Sequence, residues 1–414
     1  MKKWGATLRT KADLVSGMAT FVALAFAVIT PTLVLAQDGP VRIGYLTDVG
    51  GPSSSNDGNA GVDAARMAIE DIGGSVLGRK VELLVGDHQG KVDIGAGIAR
   101  RWLDVDGVDA VMDMNHSAIA LAVSNLVLAK NKILLATAAA SDSLTGKDCS
   151  PNLVQWLPDT YSNSRAAAAF LTRGGLDTWY FISVDYALGH SLQSAASQAI
   201  AENGGKVLGA VKHPLGTADF ASLLLQAQAS KAKVLAIASP GADMANLVKQ
   251  AHEFGVQMKL AVFLLYIMEV HSLGLTDTAG IRFVDTFYWD LDEKSRAWSK
   301  RFFDRNGKMP TAPQVNAYEG LYHYLKAIQS AGTMDTQAVM KKMKELKVED
   351  STGASGFVRE DGRVIRDMHL FEVKSPKESK YAWDYFKKIG TLPGSEAYRS
   401  LADGKCSFIG KTTN

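Results

Sequence analysis

The stretch VRIGYLTDVGGPSSSNDGNAG, Val41–Gly61, sets the first element of the fold. A short apolar run ends in a turn of glycine and serine residues, and a helical pattern follows. This order is typical of a β-strand and helix in an α/β sheet, with a loop at the carboxyl end of the strand. Such a loop binds a phosphate, another anion or nothing, and the rest of the chain decides between these.

The alternation of strand and helix then runs twice through the chain. The first half contains these apolar runs and helical stretches in order: Val41–Thr47, Gly61–Ile72, Val81–Val85, Val92–Leu103, Val108–Met112, Ser117–Lys130 and Ile133–Ala136. The second half contains Trp179–Ser183, His190–Asn203, Val207–Val211, Ala218–Ser230, Val234–Ala238, Ala242–Phe254 and Leu260–Tyr266. Short strands separated by helices predict βαβ units, so we expect an α/β protein of two halves with parallel sheets.

After Gly280 the order of elements changes. A strand-like run at Ile281–Trp289 precedes helical stretches at Asp292–Asn306, Pro313–Ala331 and Asp335–Leu346. The tail contains a hairpin-like pair, FVREDGRVI and then MHLFEV, with Asp361-Gly362 as a turn signal. We expect these segments to return to one lobe and then the other, which gives lobes at 41–157 plus 286–355 and at 158–285 plus 356–414. Several crossings between two lobes make a hinge.

The N-terminal segment predicts export. Basic residues at positions 2, 3, 9 and 11 precede the apolar run Leu14–Ala36, and Val34-Leu35-Ala36 fits cleavage before Gln37. The run is also long enough to anchor the chain in a bilayer. Since polar residues and a proline interrupt it, we favour a signal peptide at 1–36 and a periplasmic location.

The net charge limits the classes of binding partner, and the cysteine content indicates a possible disulfide. The formal net charge is +2, and without the first 36 residues, which carry four bases and one acid, it is −1. Nucleic acid is therefore not an expected partner. Cys149 and Cys406 are the two cysteines. In an oxidising compartment they are candidates for one disulfide, with two unconnected buried thiols as the alternative.

Signatures of catalysis are missing from the sequence. It contains no GxGxxG, GxxxxGK[ST], GxSxG, HExxH or CxxC pattern, so we expect no enzyme activity, cofactor or metal. Asp87-His88 follows a strand and suits either an acid–base pair or a capping aspartate beside an exposed histidine. We favour the second interpretation.

The turns at the carboxyl ends of strands carry the binding signal. In the first half they are Thr47–Asp57, Asn115–Ser117 and Ala138–Ser143, each with hydroxyls or small residues before a helix. Such turns expose backbone N–H groups at a positive helix end, which suits a carboxylate as well as a phosphate. The alternative is that Ser117, Ser141 and Asp142 only cap helices.

Bulkier groups occupy the matching turns of the second half, at Asp185-Tyr186, Ser239-Pro240-Gly241 and Tyr266. Trp156 and Tyr161 flank the expected first crossing between the lobes. A polar lobe that faces an aromatic lobe suits a small amphipathic carboxylate. Packing in the core is the alternative for each aromatic residue.

Several stretches resemble one family. VRIGYLTDVGGPSSSNDG, GVDAARMAIEDIGG, GRKVELLVGDHQG, NKILLATAAASDSLTG and DTWYFISVDYALGHSL resemble the type I periplasmic solute-binding proteins of the leucine/isoleucine/valine-binding kind. These are the receptors of branched-chain amino acid ABC importers. The resemblance covers essentially the whole chain after the signal segment. It implies two Rossmann-like lobes, joined by three crossover strands, that close over a ligand.

The resemblance also implies site residues. It places the ligand carboxylate on the first lobe, at Ser117 and at Ala139, Ala140 and Ser141, and a second-lobe aromatic residue at or beside Tyr186 or Leu188. No residue matches the acid that receives an α-ammonium group, since Tyr266 stands near that position and Glu269 is off register. The aromatic and imidazole groups therefore favour an aromatic or hydrophobic acid over a plain amino acid: His116, Trp156, Tyr161, Tyr186 and Tyr266. Asn56, at the rim of the cleft, is a further candidate.

The function expected from these observations is a non-enzymatic receptor that delivers its solute to a membrane permease as a monomer. A sensory receptor of the same fold and an exported α/β enzyme are the alternatives. No signalling domain follows the second lobe in this sequence, which favours transport. Turnover of the solute would distinguish an enzyme from either binding protein.

Overall fold

The computed structural model describes residues 39–51 and 53–409. The predicted signal peptide and its cleavage site lie outside these residues. Within the described part of the chain, no helix has both the length and the apolar character needed to cross a membrane. Strands and helices are numbered below in chain order.

The first sheet has six strands in the order β2-β3-β1-β4-β5-β6. They are β1 (Val41–Thr47), β2 (Ser75–Val76), β3 (Arg79–Asp87), β4 (Ala110–Asp113), β5 (Ile133–Ala136) and β6 (Leu153–Gln155). Helices α1 (Gly58–Asp71), α2 (Val92–Arg101) and α3 (Ser117–Ala129) connect them. β4 and β5 are buried along their whole length, and β1 is buried at every residue except Arg42, because both faces of these parallel strands are covered.

The second sheet has seven strands in the order β16-β15-β11-β10-β9-β7-β8. They are β7 (Thr178–Val184), β8 (Lys206–His213), β9 (Val234–Ala238), β10 (Lys259–Val262), β11 (Arg282–Asp285), β15 (Met368–Val373) and β16 (Phe386–Leu392). The helices around it are α4 (Thr160–Arg173), α5 (Ala187–Glu202), α6 (Ala221–Ala229), α7 (Gly241–Glu253), α8 (Ile267–Leu273) and α9 (Leu275–Thr278).

The remaining elements are α10 (Glu293–Asn306), α11 (Ala312–Ala331), α12 (Thr336–Glu345), α13 (Gly394–Ala397), α14 (Leu401–Gly404) and a small sheet of β12 (Lys347–Glu349), β13 (Ser355–Val358) and β14 (Val364–Ile365). α11 packs against α1 in the core of the first lobe. It begins with the Thr311 hydroxyl capping the N–H of Gln314 and ends at Gly332 in the left-handed conformation.

The structure confirms an α/β fold of two lobes, but both sheets are mixed. β2 is antiparallel to β3, and β15 is antiparallel to β11 and to β16, whereas the other pairs in these two sheets are parallel. A hairpin explains the first exception, since β2 and β3 are separated by two residues.

The chain passes between the sheets three times before the tail. The first two crossings lie between β6 and α4 and between β11 and α10. Arg363, beside β14, forms a bridge with Gln155 of β6, so β13 and β14 adjoin the first sheet. The third crossing therefore lies at residues 366–367, between β14 and β15, and not after residue 355.

The tail returns to the first lobe after β16. Cys406 is bonded to Cys149, and the Arg399 guanidinium donates to the carbonyl of Asp142 at 2.7 Å. Both partners belong to the segment between β5 and β6. Residues 399–406 are thus attached to the first lobe, although the sequence interpretation assigned them to the second.

One predicted strand differs from the structure in its boundary and type. The run Leu260–Tyr266 was expected to be a strand, but β10 ends at Val262 and Tyr266 is the N-cap of α8. The Glu269 carboxylate accepts the N–H of Tyr266 at 2.9 Å, and this cap starts the helix. An apolar run does not reveal this boundary because a buried strand and a buried helix entrance have similar composition.

Candidate ligand-binding site

Four loops meet at one edge of the first sheet. β1 pairs in parallel with β3 and β4, and β4 pairs in parallel with β5, so the carboxyl ends of all four strands point the same way. The loops after them cover residues 48–57, 88–91, 114–116 and 137–141. This edge is where open α/β sheets bind ligands. The sequence interpretation identified three of these loops and missed the one after β3 as part of the site.

The N-terminus of α3 is open toward the loops. Its N-cap residue is the exposed His116, which makes no side-chain cap. Among the described residues, no hydrogen bond of the hydroxyl of half-buried Ser117 is found. Asp113 and Met114, just before the helix, have φ of 84° and 58°. Left-handed backbone at non-glycine residues is often found at functional sites. The positive helix end and the free hydroxyl suit a carboxylate.

The loop after β5 is fixed by its carbonyl groups. The Gln155 amide donates to the carbonyls of Ala139 and Ser141 at 2.8 and 3.0 Å, and the N–H of Thr160 donates to Ala140 at 3.0 Å. Within the described residues, no hydrogen bond uses the N–H of Ala140 or Ser141. The loop can therefore offer N–H groups to an anion.

The Ser141 hydroxyl has a local role. It lies 2.9 Å from the hydroxyl of Ser143 and accepts the N–H of Ser143, which caps a short 3₁₀ turn at Asp142–Thr145. The capping alternative for this side chain is thus what the structure contains. Its backbone remains a candidate contact for ligand.

Two buried carboxylates lie beneath these loops. Asp57 accepts from the Tyr45 hydroxyl at 2.9 Å and from Thr47 at 3.3 Å, and Asp113 accepts from Thr137 at 3.2 Å. Burial and the neighbouring Asp57 carboxylate raise the pKa of Asp113 well above its ordinary value. This pair was missed because its members are 56 residues apart and follow no motif.

The second lobe reaches the site through α8. The Asn56 amide, in the loop after β1, donates to Glu269 Oε1 at 2.6 Å. The loop itself is held by Thr311, whose hydroxyl donates to the carbonyl of Asn56 at 2.6 Å. Burial raises the pKa of both Glu269 and Tyr266. The off-register acid of the sequence interpretation is therefore at the junction of the lobes, beside Tyr266.

The predicted aromatic residues have different surroundings. Tyr186 is the N-cap of α5 and is 39% exposed. Tyr161 is half-buried, with the guanidinium groups of Arg165 and Arg399 at 5.6 and 5.7 Å from its ring centre. Trp156 is fully buried in the core of the first lobe, where its ring packs edge-on against His323. The packing alternative accounts for Trp156.

His88 differs from its predicted environment. It was expected to be exposed, but it is fully buried after β3. Asp87 beside it accepts the N–H groups of Val49 and Gln89 at 3.2 and 3.0 Å, so this aspartate holds the loops. Burial lowers the pKa of His88. The pair thus has no acid–base geometry of its own, and the histidine is part of the site's interior.

A small cavity lies at the junction of the lobes. Its volume is about 10 Å³, and it lies between the first crossing and the loop after β10, at Leu157, Tyr266 and Asp285. This is room for about one water molecule. Within the described residues, no group of three or more His, Cys, Asp or Glu side chains is arranged to hold a metal ion.

Two α/β lobes with three crossings, and a polar edge that contacts the other lobe, define a two-lobed binding protein. The chain belongs to the family described as periplasmic binding protein, whose model matches residues 40–380. The members of this family bind solutes, and their compartment is the periplasm.

Similar proteins of known structure or name agree with this assignment. A periplasmic binding protein from Burkholderia mallei is 40% identical, with a TM-score of 0.83 over 90% of this chain and 100% of that one. A branched-chain amino acid ABC transporter periplasmic ligand-binding protein from Burkholderia xenovorans is 36% identical, with a TM-score of 0.85 over 89% and 99% of the two chains. A Leu/Ile/Val-binding protein homolog 6 from Brucella melitensis is 23% identical over 89% of this chain and 95% of its own length.

Proposed function

We propose that this chain is the substrate-binding component of an ABC importer. It captures a small carboxylate-bearing solute between its lobes and delivers it, as a monomer, to a membrane permease. The signal peptide at 1–36 is cleaved on export to the periplasm. The observation that carries the proposal is the N-terminus of α3 beside the loop after β5, where the Ser117 hydroxyl and the N–H groups of Ala140 and Ser141 make no hydrogen bond to any described residue.

The solute class is an amino acid or an aromatic or hydrophobic acid. The amino acid choice is supported by the 36% identical transporter protein from Burkholderia xenovorans. The aromatic choice is supported by Tyr186 and Tyr266 at the second-lobe helix starts. A Rhodopseudomonas palustris solute-binding protein of the same fold, 20% identical with a TM-score of 0.76, was solved with 4-hydroxybenzoate. At that identity the likeness concerns the fold alone.

Closure follows from contacts that exist in only one arrangement of the lobes. A ligand held by α3 and the loop after β5 on one side, and by α8 on the other, favours the closed arrangement by its differential affinity. The three crossings act as the hinge. Asn56 and Glu269 make a direct contact across the cleft in this arrangement.

The test is calorimetry on mature protein with leucine, isoleucine, valine, phenylalanine, benzoate and 4-hydroxybenzoate. Stoichiometric binding without turnover supports the proposal, and we expect Ser117→Ala to weaken it. The matched control is Ser222→Ala, an exposed serine in the first turn of α6. Absence of binding for every acid, or turnover of a bound acid, would contradict the proposed function.

A further inference from the structure

His88 presents an imidazole N–H to the interior of the site. Its Nδ1 accepts the N–H of Gly90 at 3.0 Å. A neutral imidazole has one acceptor and one donor nitrogen, so this bond assigns the proton to Nε2. Burial lowers the pKa of the ring, which therefore stays neutral at pH 7.

That N–H has no partner in the part of the chain that the structure describes. His88 is fully buried, and Nε2 makes no hydrogen bond within the described residues. The amide of Asn115 approaches the ring closely enough to oppose the pKa shift, but the contact lacks the geometry of a hydrogen bond. Both polar atoms of the Asn115 side chain are also buried without a partner. Buried polar groups in native proteins normally have partners, so these three atoms point to an absent one.

The nearby acids are already engaged. Asp48 accepts the N–H groups of Gly51 and Ser53 at 2.8 and 3.3 Å. Asp87 accepts two N–H groups of the same loops. In the loops after β3 and β4, the buried side-chain atoms without partners among the described residues are one donor on His88 and one donor and one acceptor on Asn115. Asn56 Oδ1 and Asp113 Oδ2 also have no described partner at this edge, and both are acceptors when the carboxylate is ionised.

We propose that His88 and Asn115 form a second subsite, which binds an uncharged hydroxyl group of the solute. The hydroxyl oxygen accepts from His88 Nε2–H, and its proton is donated to Asn115 Oδ1. A hydroxyl satisfies both roles, whereas an ammonium group cannot accept from the histidine. This inference rests on the proposed function, because Ser117 two residues away would hold the carboxylate.

The spacing limits where the hydroxyl is on the solute. Two residues of extended chain span at most about 7 Å, so the Asn115 and Ser117 subsites are neighbours. The substrate class is therefore a carboxylic acid with a hydroxyl group near the carboxylate, such as a 2-hydroxy or 3-hydroxy acid. The ring or chain of the acid would then extend toward the second lobe.

The test compares acids that differ by one hydroxyl. The probes are benzoate with its 2-hydroxy and 3-hydroxy derivatives, and 4-methylpentanoate with its 2-hydroxy derivative. For the wild type, we expect at least one hydroxylated acid to bind about tenfold or more tightly than its parent. Asn115→Leu, at a half-buried position, and His88→Phe should each reduce this ratio to about two or less. His369→Gln, a half-buried histidine on β15, is the control and should retain the ratio.

The ratio separates binding from a structural role. A variant that only loosens the loops weakens both acids of a pair equally, so an unchanged ratio in Asn115→Leu overturns the subsite even if His88→Phe does not fold. If acids bind without any preference for a hydroxyl, the subsite is wrong and the carboxylate site stands. If none of these five probe acids binds the wild type, while leucine, isoleucine, valine, phenylalanine or 4-hydroxybenzoate does, the subsite is also wrong. If neither set binds, the proposed function fails as well.

Discussion

The Asn56 amide in the first lobe donates to the Glu269 carboxylate in the second at 2.6 Å, although 213 residues separate them in the chain. Asn56 lies in the loop between β1 and α1, which is the first loop of the fold. Glu269 also caps the start of α8 through the N–H of Tyr266. This pair therefore connects the first strand's loop to a second-lobe helix that faces the site.

Removing this contact should weaken ligand binding. We expect Asn56→Ala to reduce affinity by about 1–3 kcal/mol, because a hydrogen bond to a carboxylate is lost from the closed arrangement only. Calorimetry with an acid that binds the wild type measures the change. Asn59→Ala, an exposed residue in the first turn of α1, is the control and should bind normally. Equal affinities for all three proteins would show that the contact does not contribute to closure.

Ser117→Ala should weaken binding more than Ser141→Ala. The Ser117 hydroxyl makes no hydrogen bond to the residues that the structure describes, and its loss removes about 1–3 kcal/mol of interaction with a charged carboxylate. The Ser141 hydroxyl is engaged with Ser143, and its N–H remains in the variant, so we expect mainly a small loss of stability. Parallel calorimetry and thermal unfolding measure both effects. A larger affinity loss for Ser141→Ala would show that the Ser141 hydroxyl, and not that of Ser117, is the main contact to the carboxylate.

The disulfide should stabilise the oxidised protein. Cys149 and Cys406 are separated by 257 residues, and closing such a loop limits the unfolded chain by up to about 5 kcal/mol. We expect the double variant Cys149→Ser/Cys406→Ser to have a lower free energy of unfolding than the wild type in denaturant without reductant. In dithiothreitol the two proteins should become alike. A difference that persists in reductant would assign the effect to the serine side chains instead.

Asp285 should make stability fall as pH rises. Burial raises its pKa to about 7, from about 3.9 for an ordinary aspartate. The folded protein thus holds a proton that the unfolded chain releases. This stabilising contribution is present below pH 4 and is lost between about pH 4 and 7, by up to about 4 kcal/mol.

Substitution isolates this effect. The Asn side chain in Asp285→Asn does not titrate. The free energy of unfolding of this variant should therefore rise relative to that of the wild type as the pH rises from 4 to 7. Denaturant titrations at a series of pH values measure the difference. Asp148→Asn, at an exposed position between β5 and β6, is the control and should not show this gain. Parallel curves for wild type and Asp285→Asn would refute the prediction.

The fold was predictable where an apolar run is bounded on both sides by polar turn residues. Ile133–Ala136 and Val234–Ala238 have in the structure the bounds expected from sequence, because each is a buried run between polar turns. The end of β10 was misplaced because the apolar run continues through the entrance of α8. The third crossing was misplaced because tertiary contacts, such as the bridge between Gln155 and Arg363, decide which sheet β14 joins.

The site was predictable only where a local signal exists. Ser117 was identified because a hydroxyl at a helix start follows a strand. The burial of His88 and the contact of Asn56 with Glu269 depend on loops from distant parts of the chain, for which no local pattern exists. Trp156 shows the converse, since an aromatic residue beside a crossing packs equally well in a core.

The attachment of the tail has a mechanical consequence. After β16 in the second sheet, the chain returns to the first lobe and is bonded there through Cys406. The lobes are thus joined by four covalent paths, and the last has only 13 residues between Leu392 and Cys406. Any rotation that separates the lobes must fit within the slack of this tether, so its length sets a limit on the opening angle. Cutting one sulfur–sulfur bond would release that limit and leave the other three paths intact.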